Sequence, residues 1–262
     1  MTIAIDQGSF GDQLRLWRQQ RHMSQLDLAL EAEVSARHLS FVETGRSRPS
    51  REMVMRLAES LAIPLRNRNA LLLAAGFAPA YRERSLDDPE LESARLAVQR
   101  ILDGHMPYPA LAVDRHWTLI AHNAVVPTML TGVAPALLER PSNVLRLSLH
   151  PEGLAPRIAN LGEWKRHLLE RLAGQIAASA DPVLEALREE LKAYPAPAPK
   201  HRPEDMNSIV VPFELATPAG TLSFFSTTTV FGTPVEVTLS EIAIEAFFPA
   251  DRETAEALRA MA

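Results

Sequence analysis

Residues 24–49 read SQLDLALEAEVSARHLSFVETGRSRP, and their caps and apolar positions decide the fold of the first third of the chain. Ser24 is a favourable N-cap and Asp27, three residues on, imitates a capping box, so a helix starts at Gln25. Leu28, Ala29 and Ala32 fall on one face at helical spacing, with Ala29 small where a partner helix must cross closely. Ser35 caps a second helix, whose Leu39 and Val42 turn to the same core together with Val34. That leaves Ala36, Arg37, His38, Ser40 and Phe41 facing outward. Gly45 ends the helix as a C′ residue, and Arg46 and Arg48 follow at once.

Working outward, Phe10, Leu14 and Trp17 repeat at helical spacing and predict a core-facing helix near residues 11–21. Ser50 caps a fourth helix with Met53, Leu57 and Leu61 on one face, and a fifth near residues 67–75 stops at Gly76. The segment therefore belongs to a five-helix domain over residues 1–80. Residues 77–88 are a polar connector containing proline.

The run Ser24-Gln25-x-x-x-Ala29, then Val34-Ser35-x-x-x-Leu39-Ser40-x-Val42-Glu43-x-Gly45-x-x-x-Pro49-Ser50, resembles the helix-turn-helix of the xenobiotic-response-element type, the phage-repressor family, over roughly residues 10–76. The family usually has Gly in the turn between the two helices, where φ is often positive, and this chain has Glu33; the substitution costs about 1 kcal/mol. The resemblance implies that the second helix enters the major groove of a near-palindromic operator bound by a homodimer. Arg37 is then the candidate for reading guanine O6 and N7. Ala36 and Phe41 would touch thymine methyls, although Phe41 could instead pack against Trp17 or Phe10. Ser40 and His38 would meet bases or phosphates. Gln25, Arg46 and Arg48 would grip the backbone, with Ser35, Thr44 and Ser47 completing the DNA-facing set.

At 262 residues and 47% hydrophobic content the chain can bury two cores, so a second domain is required. No run approaches the roughly 18 apolar residues of a membrane span, and the N-terminus lacks a signal-peptide pattern. A soluble cytoplasmic protein is the expectation, with no membrane partner. The absence of cysteine rules out disulfides and thiolate metal sites. Net charge is −5, but residues 1–80 hold ten Arg against eight acidic residues, whereas residues 81–262 hold 17 basic against 24 acidic. The basic excess sits where the DNA-binding segment lies. It is modest, so operator affinity should come from paired reading heads rather than a strongly basic surface.

Asp88-Pro89 opens a connector helix over residues 81–104, with an apolar stripe of Leu91, Ala94, Val98, Ile101 and Leu102 that suits packing on its own domain or on a twin helix. A hairpin comes next: residues 108–113, a turn at Asp114-Arg115-His116, and residues 117–122. Asn123 is positioned to cap a helix. Residues 143–194 read as helical, with Leu161, Trp164, Leu168, Leu172 and Ile176 on one long helix and Leu184, Leu187 and Leu191 on the next. The Pro195-Ala196-Pro197-Ala198-Pro199 run breaks regular structure. Residues 208–215 and 221–229 then have strand composition around a turn at residues 217–220. The pattern of residues 241–248 fits a helix or a strand, and we read a strand. Asp251 starts a short terminal helix with Ala255 and Leu258.

This order gives an α+β chain: a five-helix domain and then, over residues 105–262, an antiparallel sheet with helices on one face. Leu111-Ala112-Val113-Asp114-x-x-Trp117, His122-Asn123, Leu147-Ser148-Leu149-His150-Pro151 and Ala219-Gly220-Thr221-Leu222 make the whole arrangement similar to the MmyB-like regulators. In that family the C-terminal domain is PAS-like and linked to fatty-acyl ligands. The resemblance thus implies a bound fatty acid or other apolar ligand, and otherwise no cofactor.

Catalytic motifs are missing: there is no Gly-x-Ser-x-Gly, His-Glu-x-x-His, phosphate-cradling loop or dinucleotide turn. The histidines are scattered without ligand spacing, so neither a metal site nor a catalytic residue is expected. Large apolar residues ringed by a few polar groups suit a small-molecule pocket. Trp117, Trp164, Phe213, Phe224 and Phe248 are the candidate walls; Arg146, His150 and Asn123 are the candidate head-group contacts. The competing reading is a solid-cored dimerisation or protein-interaction module.

Overall fold

The computed structural model describes residues 8–199, 211–218, 220–232, 234 and 236–261. Two compact units result: Met1–Arg84 with Gln175–Pro182 and Pro234–Ser240, and Ser85–Gly174 with Val183–Thr233 and Glu241–Ala262. The break falls at Arg84/Ser85, and the helix read as a connector belongs to the second unit. The first unit also recruits two short downstream segments, which a linear division of the sequence does not contain.

The first unit holds α1 (Phe10–Gln20), α2 (Gln25–Glu31), α3 (Ala36–Glu43), α4 (Arg51–Ser60) and α5 (Leu65–Ala74). Ser9 and Asp12 form a full capping box and start α1 at Phe10, while Ser24, Ser35 and Ser50 cap α2, α3 and α4. All five helices end alike. The residue after each C-cap has positive φ: His22 at 55°, Glu33 at 53°, Gly45 at 71°, Ala62 at 47° and Gly76 at 86°. In the turn between α2 and α3, Glu33 N–H bonds Leu30 O at 3.2 Å and Val34 N–H bonds Ala29 O at 2.9 Å, the paired closure of a Schellman motif. Leu14, Trp17, Leu28, Leu39, Leu57 and Leu72 are wholly buried at the centre.

The second unit is built on a five-stranded antiparallel sheet of β1 (Ala110–Val113), β2 (Leu119–His122), β3 (Phe213–Thr217), β4 (Gly220–Val230) and β5 (Ala243–Pro249), in the order β2-β1-β5-β4-β3. Part of the segment expected to form the third strand, residues 208–210, lies outside the described residues. β5 pairs with both β1 and β4, so the segment read as a strand over 241–248 is a central strand, running from Ala243 to Pro249 with Glu241 and Ile242 ahead of it. The helices are α6 (Glu92–Gly104), α7 (Val126–Met129), α8 (Pro135–Leu138), α9 (Val144–Leu149), α10 (Leu161–Ser179) and α11 (Pro182–Ala193). α12 (Val237–Ser240), which belongs to the first unit, precedes α13 (Arg252–Met261). On α6 the stripe divides: Leu91 in the preceding turn, Val98 and Leu102 are buried, whereas Ile101 is exposed.

Two local details fix how the sheet presents its faces. The hairpin is shorter than its composition suggests, because Trp117 leaves the strand with φ 66°. The Asp114 carboxylate holds that turn, accepting the His116 and Thr118 N–H groups at 2.8 Å each. Pairing of Leu111 with Glu245 and of Ser226 with Phe247 puts these residues on one sheet face, since neighbours along a strand alternate. Ala110, Ala112, Ile244, Ala246 and Phe248 face the other way. The His105 ring beyond α6 meets Phe248 edge-on at 4.6 Å on that second face, so the helical cover extends to both faces.

Glu33 carries a β-carbon in a conformation that favours glycine, so Glu33→Gly should stabilise the first unit by about 1 kcal/mol. Chemical denaturation measures this; an unchanged or lowered midpoint would show that the Glu33 side chain compensates for its backbone.

Candidate nucleic-acid interface and ligand pocket

The reading surface is anchored from below by Glu43, the last residue of α3, whose side chain is 0% exposed. Arg18 of α1 grips it with Nε at 2.7 Å and Nη2 at 3.0 Å, and Gln25 Nε2 donates to it at 2.6 Å. A β-carbon on Gly11 would sit 2.4 Å from Glu43 O, so α1 and α3 cross at the closest approach the backbone allows. Above this anchor, Arg37 is exposed, with its guanidinium 5.5 Å over the ring of Phe41 one turn later. Phe41 is half-buried and stacks on Arg37, whereas the core around Trp17 and Phe10 forms without it. Stacking restricts the planar fork of the Arg37 guanidinium.

Several residues expected to face DNA are partly committed elsewhere. Ala36 is half-buried against the core rather than outward, because the first turn of α3 starts close beneath α2. The Ser35 hydroxyl accepts the His38 N–H at 3.1 Å, and Thr44 donates to Ser40 O at 2.8 Å. Gln25 is half-buried and tied to Glu43, so only its remaining amide groups are left for a phosphate. His38, Ser40 and Ser47 are half-buried; Arg46 and Arg48 are exposed beyond the left-handed Gly45.

In the second unit a cavity of about 80 Å³ lies between the Leu111–Phe247 face of the sheet and helices α9 and α10. Its wall is almost wholly carbon: Trp117, Leu119, Val126, Met129, Leu130, Leu145, Leu147, Leu154, Trp164, Leu168, Phe213 and Phe247 all contribute. Polar side chains reach it from Ser148, Arg171, Ser226 and Glu245. Arg171 binds Glu245 through both terminal nitrogens, donates to Thr228 Oγ1 at 2.6 Å and lies 4.6 Å over the Trp117 ring. Trp164 Nε1 donates to the Ser148 hydroxyl at 2.9 Å.

Trp117, Trp164 and Phe213 of the expected pocket residues thus stand on the wall. Phe224 is fully buried beside the wall, paired with Phe213 on the same sheet face but outside the lining, its ring 6.0 Å from Phe213 and 6.4 Å from Phe247. Phe248 corrects the sequence reading. It stacks on Phe225 across the opposite sheet face, and its neighbour Phe247 takes the pocket position. The polar candidates are also displaced. Asn123, rather than capping α7 or facing a ligand, accepts the Ala110 N–H and donates to Tyr108 O and Leu102 O, locking α6 to β1. Arg146 makes a two-pronged bond to Glu190, which also receives the Tyr194 hydroxyl. Arg146 holds Glu190 below the usual carboxylate range, while burial, then donation to Glu190, pushes Tyr194 up to about 12. The His150 ring packs edge-on against Tyr194, and its Nδ1 accepts the Glu152 N–H at 3.1 Å.

A capped, DNA-shaped reading helix in one unit and a nearly apolar cavity in the other define a DNA-binding transcription regulator with a ligand-binding domain. Residues 94–261 match the MmyB-like transcription regulator ligand binding domain, and residues 14–66 match a helix-turn-helix family. The chain belongs to the MmyB-like family. Both matching families are transcription-regulator domains rather than enzymes. No curated protein matches the chain. Among solved structures, an RNA-binding light-oxygen-voltage receptor is similar at 12% identity and a TM-score of 0.26, which is too low to carry an argument. That similarity covers 97% of this chain, and the chain spans 64% of the receptor's length. Among the described residues no helix is long and apolar enough to cross a membrane.

His167, packed against Trp164, has its pKa lowered from 6.5 by burial and then by Arg171, against smaller opposing effects of Glu170 and Glu245. A base whose folded pKa is depressed favours the native state above its unfolded pKa, and that contribution is lost as pH falls below about 6.5 through the folded value. Stability of the second unit should therefore decline over this window. His167→Gln should flatten the decline in thermal unfolding; an unchanged slope would assign it to another group.

Proposed function

We propose that the protein is a homodimeric regulator that binds a near-palindromic operator, its half-sites about 34 Å apart, and that an apolar metabolite in the second unit tunes this binding. The observation that carries the ligand reading is the cavity walled by two tryptophans and two phenylalanines inside the domain matched to a ligand-binding family. A solid-cored interaction module predicts no such space. The family resemblance suggests a fatty acid or acyl derivative, and a chain of methylenes is the chemistry that wall suits. A coupling of about 1–3 kcal/mol between the sites changes operator affinity roughly 5- to 150-fold.

At the operator, Arg37 reads a base while Gln25, Arg46 and Arg48 hold phosphates. His38, Ser40 and Phe41 lie beside Arg37 on the reading face. Arg37→Ala should lose about 1–3 kcal/mol of discrimination at one base pair, whereas Arg46→Ala should weaken binding to all sequences and lower the salt dependence. Competition binding against operator variants separates the two; identical sequence preference in wild type and Arg37→Ala would remove Arg37 from the readout.

For the ligand, thermal shift with long-chain acyl compounds should raise the melting temperature, and gentle native mass spectrometry should find a co-purified lipid. Absence of both would leave the second unit without its proposed effector.

A further inference from the structure

A second cleft of the same unit, of about 350 Å³, lies between α10, α11 and the proline-rich strap of residues 196–199, and shares no lining residue with the apolar cavity. Small-molecule sites run from roughly 300 to 1,000 Å³. Its frame is fixed at both ends. A β-carbon on Gly162 would stand 2.6 Å from Pro197 O, so the strap lies directly on the start of α10. Lys165 donates to Lys192 O at 2.9 Å and to Tyr194 O, which ties α10 to the end of α11.

The charge inside this frame is one-sided. Lys165, Arg166, Arg188 and Lys192 line the cleft, and among the described lining residues the carboxylate is Glu170. Residues 81–262 as a whole are acidic, with 24 acidic against 17 basic residues, so the cleft runs against its own domain. Arg188 and Lys192 stand one turn apart on one face of α11, and they share Glu189 at 3.9 Å and 2.6 Å. That carboxylate is 68% exposed, and such pairs hold weakly. The 3.9 Å contact is beyond hydrogen-bond reach, and Arg188 Nε is buried without an acceptor. An unmade hydrogen bond of this kind is costly, so the guanidinium gains by turning to an incoming anion. Lys165 uses two of its three ammonium protons on carbonyls and keeps the third.

A lone carboxylate neutralises one of these cations. A phosphate ester carries about two negative charges and three acceptor oxygens, enough to meet the Arg188 fork and both ammonium groups together. Leu169, Ala173, Pro197 and Pro199 supply hydrocarbon beside them, a surface for a flat ring.

We propose that the cleft between α10 and α11 binds a phosphorylated metabolite of nucleotide size, its phosphate held by Lys165, Arg188 and Lys192 and its ring against Leu169 and the proline strap. The site is independent of the apolar cavity and takes a ligand of opposite character.

The test is titration calorimetry on the full chain with ADP, inorganic pyrophosphate and citrate, at about 0.15 M salt to screen loose charge attraction. ADP should bind, pyrophosphate should compete with it, and citrate, a polyanion without phosphate, should bind at least about tenfold more weakly than ADP. Arg188→Gln combined with Lys192→Gln should weaken ADP at least about tenfold, whereas Arg252→Gln, which removes an exposed cation from α13, should leave it unchanged. Lys165 is kept because its bonds to the end of α11 support the fold. Should the double variant fail to fold, Arg188→Gln alone should still weaken ADP. Undiminished ADP binding in the variants would put the nucleotide elsewhere on the molecule and overturn the site. Citrate binding as tightly as ADP would overturn the phosphate class, and binding of neither ADP nor pyrophosphate would overturn the proposal as a whole.

Discussion

Glu43 places a charge where no water reaches it, and the helices around it are arranged to answer that charge. Arg18 comes from α1, Gln25 from α2, and the carboxylate itself ends α3, so three helices meet on one residue. A buried ion survives only when its partners are complete and well aligned, which makes the angle between α1 and α3 a matter of electrostatics as well as packing. Gly11 permits the close crossing that brings Arg18 into range. The reading helix inherits this rigidity: Arg37 and Phe41 project from an element that cannot roll without exposing or unpairing Glu43.

The second unit solves a similar problem with Arg171 and Glu245. There the pair sits on the wall of an otherwise apolar space, where replacing it by hydrocarbon would enlarge the same greasy surface without setting any direction. In the first unit the ion pair fixes geometry between helices, whereas in the second it fixes the electrical character of a cavity. Both pairs join elements far apart in sequence, which is why each depends on the completed fold.

What the sequence conveys well is local. Caps at Ser24, Ser35 and Ser50, the C′ glycines at positions 45 and 76, and the apolar stripe from Trp164 to Leu172 all act within a few residues, and each appears in the structure where the spacing places it. The left-handed Glu33 is equally readable, because the turn demands that backbone whatever side chain occupies it. The pocket is less legible. β5 is covered on both faces, Ile244 and Glu245 alike being 3% exposed, so alternation identifies a strand but not which face borders the cavity; hence Phe248 in place of Phe247. Arg146, His150 and Asn123 stand out as polar residues near apolar runs, yet all three are occupied by neighbours that only folding brings close. A better signal is present. Arg171 interrupts the apolar face of α10, and Glu245 interrupts β5 between small and aromatic residues, so two opposite charges each stand on a stripe that should be greasy.

The three tryptophans are divided between the units in a useful way. Trp17 is sealed in the helical core beneath Arg21, while Trp117 and Trp164 border the cavity, one under a guanidinium and the other bonded to a serine. Indole emission responds to nearby charge and to the polarity around the ring. The molecule therefore carries two optical reporters inside its pocket and a third, shielded one in its DNA-binding core, so that occupancy of the cavity and the state of the reading domain are written into different parts of one intrinsic spectrum.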